Sequence, residues 1–177
     1  METDFVRIAF TSEAIAARVA ELGAQITSDY AGKELVLVGV LKGSSYFLAD
    51  LSRRIDLLVK IDFMSIGVYQ GTTKTGIVRI TKDLDIDVSG KHVLLVEDII
   101  RTGLTTGYLV QNIEARKPKS VRVCSLLANP DQQLISFPID YTGFTVSGEW
   151  LVGYGLDIDE KWRNLPYIAE IRRPAHV

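Results

Sequence analysis

Cysteine, histidine and excess positive charge are all scarce in this chain, and each shortage removes a class of function. A single cysteine among 177 residues, Cys124, cannot close an internal disulfide. It sits in the apolar run from Val121 to Leu127, where an inert buried thiol is expected. The two histidines, His92 and His176, have no cysteine or carboxylate at metal-ligand spacing around them, and both are expected at the surface. A formal charge of −2 and a pI of about 5.7 argue against a general nucleic-acid or anionic-membrane binder, which is usually basic. No apolar run is long enough to span a bilayer, and Met1-Glu2-Thr3-Asp4 does not resemble a signal peptide, so a cytoplasmic location is expected. Internal repeats, linkers and low-complexity segments are absent as well.

What remains is a chain of single-domain length with a core to bury: 47% hydrophobic and 24% charged residues match an ordinary globule. Thr11 or Ser12 caps a helix whose apolar positions Ile15, Val19, Leu22 and Ile26 recur at helical spacing, with Gly32 just past its end. Leu35 to Leu41 is a near-continuous apolar strand, as expected where both sheet faces are covered. A helix over 44–55 and a strand over 57–64 follow. The Gly- and Thr-rich stretch from Ser65 to Lys82 predicts a long two-stranded flap. Val93 to Val96 is a strand, 103–115 a helix and 121–128 a further strand. This alternation implies an α/β fold with a central parallel sheet flanked by helices. Beyond Pro130, short segments broken by Pro138, Gly143, Gly148, Gly153 and Gly155 predict a small irregular hood. The expected organisation is one domain over 1–177, with a core over about 11–128 and a hood over about 129–177 joined by the N-terminal segment.

The densest chemistry lies in Val93-Leu94-Leu95-Val96-Glu97-Asp98-Ile99-Ile100-Arg101-Thr102-Gly103-Leu104-Thr105-Thr106. A β-branched run ends at two adjacent carboxylates, which therefore emerge at the carboxyl edge of the sheet, where open α/β folds bind ligands. Glu97 and Asp98 can accept hydrogen bonds from two neighbouring ribose hydroxyls. Thr102, Gly103, Leu104, Thr105 and Thr106 then place free backbone N–H groups and hydroxyls at a helix N-terminus, which favours a phosphate. The bland alternative is an ordinary strand-to-helix turn with a threonine cap and two solvated acids. A Walker loop would need a lysine after its last glycine, and a dinucleotide fingerprint two further glycines; neither is present.

With those residues in place, the segment resembles the phosphoribosyl-diphosphate motif of the purine phosphoribosyltransferase family, of the hypoxanthine-guanine type. Other segments match in the same order from about Ile8 to about Pro174. Leu41-Lys42-Gly43-Ser44 resembles the family's diphosphate loop, and Tyr69 with Gly71-Thr72-Thr73 its mobile catalytic loop. The stretches 150–157 and 161–167 resemble its hood over base and diphosphate. The resemblance implies a type I phosphoribosyltransferase fold and a Mg²⁺-dependent reaction joining a purine nitrogen to C1 of phosphoribosyl diphosphate. It also implies that the chain works as a homodimer or homotetramer. By position, Glu97 and Asp98 would hold the ribose hydroxyls, and Thr102 to Thr106 the 5′-phosphate. Lys42, Gly43 and Arg163 would face the diphosphate, with the Leu41–Lys42 peptide a candidate for a cis bond. Asp157 would face Mg²⁺ directly or through water. Trp150 and Leu151 would line the base, and Tyr69 would close over the diphosphate. Read without the resemblance, Arg163 is a solvated charge in 159–163, Asp157 a helix cap and Trp150 core packing. Trp162 is expected to pack the hood, and Arg172-Arg173 to form a solvated end.

Three positions depart from the family. Arg101 stands where the motif carries the aspartate assigned to proton transfer at purine N7, Asn129 where a lysine reads the exocyclic oxygen, and Val68 where a serine precedes the flap tyrosine. An Asp–Lys pair has no net charge, whereas Arg101 with Asn129 carries one positive charge, so the pocket should prefer acceptors or an anion. Arginine can donate two parallel hydrogen bonds to adjacent acceptors, but it cannot serve as a base at ordinary pH. Two other readings therefore stand beside an altered hypoxanthine-guanine transferase: a catalytically silent sensor of a purine nucleotide or of phosphoribosyl diphosphate, and a transferase for another base. A regulator that binds RNA fits the acidic balance poorly.

Overall fold

The computed structural model describes residues 5–69, 77–148 and 150–172, and of Val68, Tyr69, Ile77 and Val78 only the backbone. Strand β1 (Phe5–Phe10) leads into helix α1 (Ser12–Asp29), which the Thr11 hydroxyl caps by accepting from the Ala14 N–H at 3.2 Å. Strand β2 (Leu35–Leu41) and helix α2 (Ser45–Ser52) follow, then β3 (Val59–Tyr69), β4 (Ile77–Lys82), β5 (His92–Ile100), α3 (Leu104–Glu114) and β6 (Ser120–Ala128). The chain ends through a short 3₁₀ turn (Pro130–Gln132) and strands β7 (Tyr141–Thr145), β8 (Trp150–Val152) and β9 (Ile168–Ile171).

Six strands form the central sheet in the order β4-β3-β2-β5-β6-β7, parallel except for the antiparallel β3–β4 pair. The period of two along each central strand divides the core between its faces. Leu35 and Leu37 of β2 and Leu94 and Val96 of β5 pack toward α1 and α2, onto Ile15, Leu22, Phe47 and Leu51. Val36, Val38, Val93 and Leu95 face the other way, onto Leu109 and Ile113 of α3. Each such fully buried side chain contributes roughly 1.5–3 kcal/mol. Cys124 is buried in the first of these layers, where loss of solvation pushes its thiol well above the usual range and keeps it inert. A second, antiparallel sheet, β1-β9-β8, carries its own small cluster of Val152, Ala169 and Ile171, with Trp150 and Trp162 packed against it.

Several boundaries differ from the sequence expectation, for identifiable reasons. Helix α2 stops at Ser52, before Ile55, because the chain turns there to hand the Asp56 N–H to Thr27 Oγ1 at 3.0 Å. Strand β5 runs on through Glu97 and Asp98 to Ile100, because β6 keeps pairing with it as far as Ala128; β2 pairs only to Val96. The two acids thus clear β2 while still being held by β6. Tyr141–Thr145 pairs parallel with β6, so the central sheet extends beyond Ala128. β3 leaves β2 after Ser65 and pairs with β4 instead, giving the stem of the expected flap; Gly71, Thr72 and Thr73 lie outside the described residues. His92 is not a free surface residue. Its ring is half-buried edge-on against Tyr30, with Nδ1 2.7 Å from Ser120 Oγ, and burial followed by the charges of Lys119, Lys33 and Arg122 lowers its pKa. His176 and Arg173 are outside the described residues, and Arg172 is exposed. Among the described residues no helix is long and apolar enough to cross a membrane.

Candidate active site

The carboxyl ends of β2 and β5 converge on one small region. From the end of β5, residues 97–103 with Thr105 and Thr106 wall a cavity of ≈ 240 Å³. Gly103, the N-cap of α3, takes the left-handed φ of 78° that turns the loop into the helix. Leu104 is half-exposed and is not part of the cavity wall. Glu97 is 5% exposed and accepts from Thr106 Oγ1 at 3.1 Å. Burial, reinforced by the neighbouring Asp98 charge and only partly offset by that hydroxyl, pushes Glu97 up to about 8. Burial also raises Asp98, against the pull of the Ile99 N–H, which it accepts at 2.8 Å, and of the Arg163 charge.

The loop after β2 meets this pair from the side. Its Leu41–Lys42 peptide is cis. The Ser44 hydroxyl returns to Val40 O and the Ser45 hydroxyl to Lys42 O, both at 2.7 Å, which folds the loop tightly onto the start of α2. Gly43 lies directly on the Asp98 carboxylate: a β-carbon there would fall 1.6 Å from Oδ2. On its other side a β-carbon on Gly155 would fall 2.0 Å from the Gly43 carbonyl oxygen. Gly155, with φ of 100° and backbone against it, requires glycine, whereas a side chain at Gly43 would have to displace the Asp98 carboxylate or the loop.

Through Gly155 the hood is locked to the same spot. Arg163 Nη1 donates to Gly155 O at 2.7 Å, and Nη2 pairs with Asp157 Oδ1 at 2.9 Å and with Glu160 Oε2 at 3.2 Å. Lys42 Nζ reaches Glu160 Oε1 at 3.2 Å. Arg163 is thus mostly enclosed, 20% exposed, and is not the solvated charge its local sequence suggests. Asp157 Oδ2 accepts the Glu160 N–H at 2.8 Å, leaving each oxygen further acceptor capacity. Glu160 was not singled out by sequence. The one available signal was the i, i+3 spacing of Asp157, Glu160 and Arg163.

The residues expected around a base are less tightly gathered. Arg101 lies in the cavity wall and makes no ion pair or hydrogen bond among the described residues. Asn129 follows directly after β6, its N–H donating to Ile100 O at 2.8 Å. The Asn129 side chain is 2% exposed, donates Nδ2 to Ser147 O at 2.7 Å and leaves Oδ1 buried without a hydrogen-bond partner. Leu151 is buried in the main core and borders a ≈ 200 Å³ cavity with Ser147 and Phe10, whereas Trp150 packs against the β1-β9-β8 cluster. Tyr69 ends β3, and its side chain lies outside the described residues.

A family model described as the phosphoribosyl transferase domain matches residues 9–159 of the chain, a range that includes both loops. The chain belongs to that family. It is 43% identical over 175 residues to a hypoxanthine-guanine phosphoribosyltransferase of Mycobacterium bovis, covering 95% of this chain and 87% of that protein. A hypoxanthine-guanine phosphoribosyltransferase of Streptococcus pneumoniae is 41% identical over 177 residues, with 99% and 98% covered. The crystal structure of a hypoxanthine phosphoribosyltransferase from Staphylococcus aureus superposes with a TM-score of 0.92 at 43% identity, over 97% of this chain and 94% of that one. The fold is accordingly that of the type I phosphoribosyltransferases, and the chain is a transferase of the hypoxanthine-guanine type. Among the described residues no three His, Cys, Asp or Glu side chains are grouped to hold a metal ion.

Proposed function

We propose that the chain transfers phosphoribosyl from phosphoribosyl diphosphate to a purine-type base with Mg²⁺ as helper, through a base pocket that differs from its relatives', acting in the cytoplasm as a homodimer or homotetramer. The observation that carries this is the packing of Gly43 against Asp98, which sets Lys42 and the enclosed Arg163 beside the acidic pair. That juxtaposition suits a substrate with ribose hydroxyls at one end of C1 and a diphosphate at the other.

Glu97 and Asp98 would accept from the ribose hydroxyls, and the N–H groups and hydroxyls from Thr102 to Thr106 would hold the 5′-phosphate. As the bond from C1 to diphosphate breaks, the sugar becomes cationic, and Lys42 and Arg163 would hold the departing charge. The donor set suits a Mg²⁺ ion carried in on substrate oxygens, because the site offers it one carboxylate, Asp157, with lone pairs to spare. When bound, the ion neutralises diphosphate charge. The stem formed by β3 and β4 would bring Tyr69 over the diphosphate and exclude water.

In the base half, Arg101 has no competing partner among the described residues and would donate to acceptors on the incoming base. A guanidinium stays protonated at ordinary pH, so the base arrives as an anion or loses its proton to water. Asn129, with its amide nitrogen tied to Ser147, has an acceptor free where the family has a lysine donor. A silent sensor would have little use for two cations placed at a leaving diphosphate. Incubation with phosphoribosyl diphosphate, Mg²⁺ and a panel of purines and other bases, with products identified by mass, tests the reading. A nucleoside monophosphate formed together with diphosphate supports it, and tight binding of the sugar diphosphate with no product from any base would favour the sensor.

A further inference from the structure

Glu160 occupies both of the cations that the proposed reaction assigns to diphosphate. Its two carboxylate oxygens are divided between them, Oε1 on Lys42 Nζ at 3.2 Å and Oε2 on Arg163, at 3.2 Å from Nη2 and 3.3 Å from Nε. We propose that this carboxylate is a built-in stand-in for diphosphate: it holds Lys42 and Arg163 before the substrate binds, yields them when the substrate arrives, and takes them back to expel the diphosphate product. The inference rests on Lys42 and Arg163 being the diphosphate-facing cations.

Three features of the chain support it. First, the position of Glu160 is set by the turn that carries it and does not depend on Lys42. Asp159 and Glu160 have φ of 54° and 60° and form the centre of a tight turn closed by Lys161 N to Ile158 O at 3.1 Å. A turn with both central residues left-handed ordinarily carries Asn-Gly, and two acidic residues there are strained. The Glu160 N–H on Asp157 Oδ2 and the packing of Trp162 in the hood hold it. Second, the Lys42–Glu160 pair is open to water, with side chains 67% and 62% exposed. Pairs so exposed contribute little net stability and exchange readily for a better anion. Third, the charges of Lys42, Arg163, Asp157 and Glu160 cancel as they stand. A polyanion gains the full attraction of the two cations only once Glu160 has swung aside, and it loses that attraction again when Glu160 returns.

The test is calorimetric titration of inorganic diphosphate, in Mg²⁺, onto the native protein and its Glu160→Gln, Glu160→Asp and Lys42→Ala variants, alongside steady-state kinetics. Glu160→Gln keeps the size and polar character of an exposed side chain, and it is expected to bind diphosphate about fivefold tighter. Its KM for phosphoribosyl diphosphate should fall while kcat falls as well, because product leaves more slowly. Glu160→Asp, charged but too short to span both cations, should lie between. A turn that merely held the fold together would move KM and kcat in the unfavourable direction together and leave diphosphate no tighter. Lys42→Ala is expected to lose diphosphate affinity about tenfold. If it does, and Glu160→Gln binds diphosphate no better than native, the stand-in role is wrong while the site assignment stands. If Lys42→Ala binds diphosphate as the native protein does, the site assignment itself fails and takes the stand-in with it.

Discussion

Gly43 and Asp98, drawn from the ends of two different strands, are in such close contact that any β-carbon at position 43 would overlap the Asp98 carboxylate, 1.6 Å from Oδ2 and 2.5 Å from Cγ. The contact fixes how far the loop after β2 stands from the acidic pair near the end of β5, and hence where a substrate held by one meets the other.

Replacing Gly43 by alanine must displace either the loop or the carboxylate, which is itself held by the Ile99 N–H at 2.8 Å. A shift of about 1 Å in such a constellation costs on the order of a hundredfold in rate. Gly43→Ala should therefore lose about that much in kcat/KM for phosphoribosyl diphosphate and melt at a lower temperature. In an Asp98→Ala background the stability cost of Gly43→Ala should shrink by about 1 kcal/mol, since contacting residues are not additive. An equal cost in both backgrounds would show that the clash lies elsewhere.

Glu97 gives the protein a pH signature. Its unfolded value lies near 4.3, whereas burial beside Asp98 raises it to about 8 in the native chain. Between those limits the native state binds the extra proton, so the contribution of Glu97 is intact below the unfolded value and is lost as pH rises toward 8. Glu97→Gln removes that titration. Denaturant unfolding should find the variant close to native at about pH 5 and more stable by roughly 2–4 kcal/mol at about pH 8.5. Parallel stability curves across that range would mean that Glu97 ionises normally.

Asp62 shows the opposite sign. It is 5% exposed, and although burial raises it, the N–H groups of Ile86, Phe63 and Asp85 together with the Lys82 charge outweigh that and lower it. It pins the segment after β4 to β3, accepting Asp85 N and Ile86 N at 2.8 Å each. Asp62→Ala leaves three N–H groups without this acceptor and should cost about 2–4 kcal/mol at neutral pH. The difference from native should narrow as pH falls below about 4, where the unfolded carboxylate begins to take up a proton that the native one still refuses, and should be lost once pH passes below the lowered native value. Because this clamp anchors the flap stem, amide exchange in β4 should quicken by the same substitution; unchanged exchange there would separate Asp62 from the flap.

What was legible in the sequence follows from how each feature is encoded. The central strands read clearly because β2 and β5 are apolar on both faces, and α1 because its apolar residues recur at helical spacing under a threonine cap. The end of β5 did not, since Glu97 and Asp98 interrupt the apolar pattern while the pairing with β6 continues past them. Tyr141–Thr145 is short and carries a glycine, and only its parallel pairing with β6 makes it a sheet strand. Within the candidate site, the loop from Thr102 to Thr106 was visible as a local pattern. Glu160 was not, because its cationic partner Lys42 comes from the other end of the chain and a run such as 159–163 reads as solvated charge. The partners of the half-exposed His92 were hidden for the same reason: the ring it meets edge-on belongs to Tyr30, just after α1.

The base half yields the last prediction. Arg101 stands in the cavity wall without a partner among the described residues, and Asn129, adjacent through its N–H on Ile100 O, turns an unpaired Oδ1 inward. Neither can take a proton from a purine: the guanidinium is already protonated, and an amide is not a base. Restoring the carboxylate and the ammonium of the wider family by Arg101→Asp with Asn129→Lys should return a general base and an oxygen reader together. Positioned proton transfer is worth about a hundredfold or more, so turnover of hypoxanthine and guanine should rise by roughly that factor, while any base the native protein prefers should be used less well. Both substitutions are needed at once. Arg101→Asp alone adds a carboxylate to a cavity that already holds Glu97 and Asp98, and Asn129→Lys alone places a second cation beside Arg101, so each single variant should gain far less than the pair. Steady-state assays of native, single and double variants on hypoxanthine, guanine and the base preferred by the native protein make the comparison. Hypoxanthine turnover by the native protein as fast as that of the double variant would show that Arg101 is not what sets the choice of base.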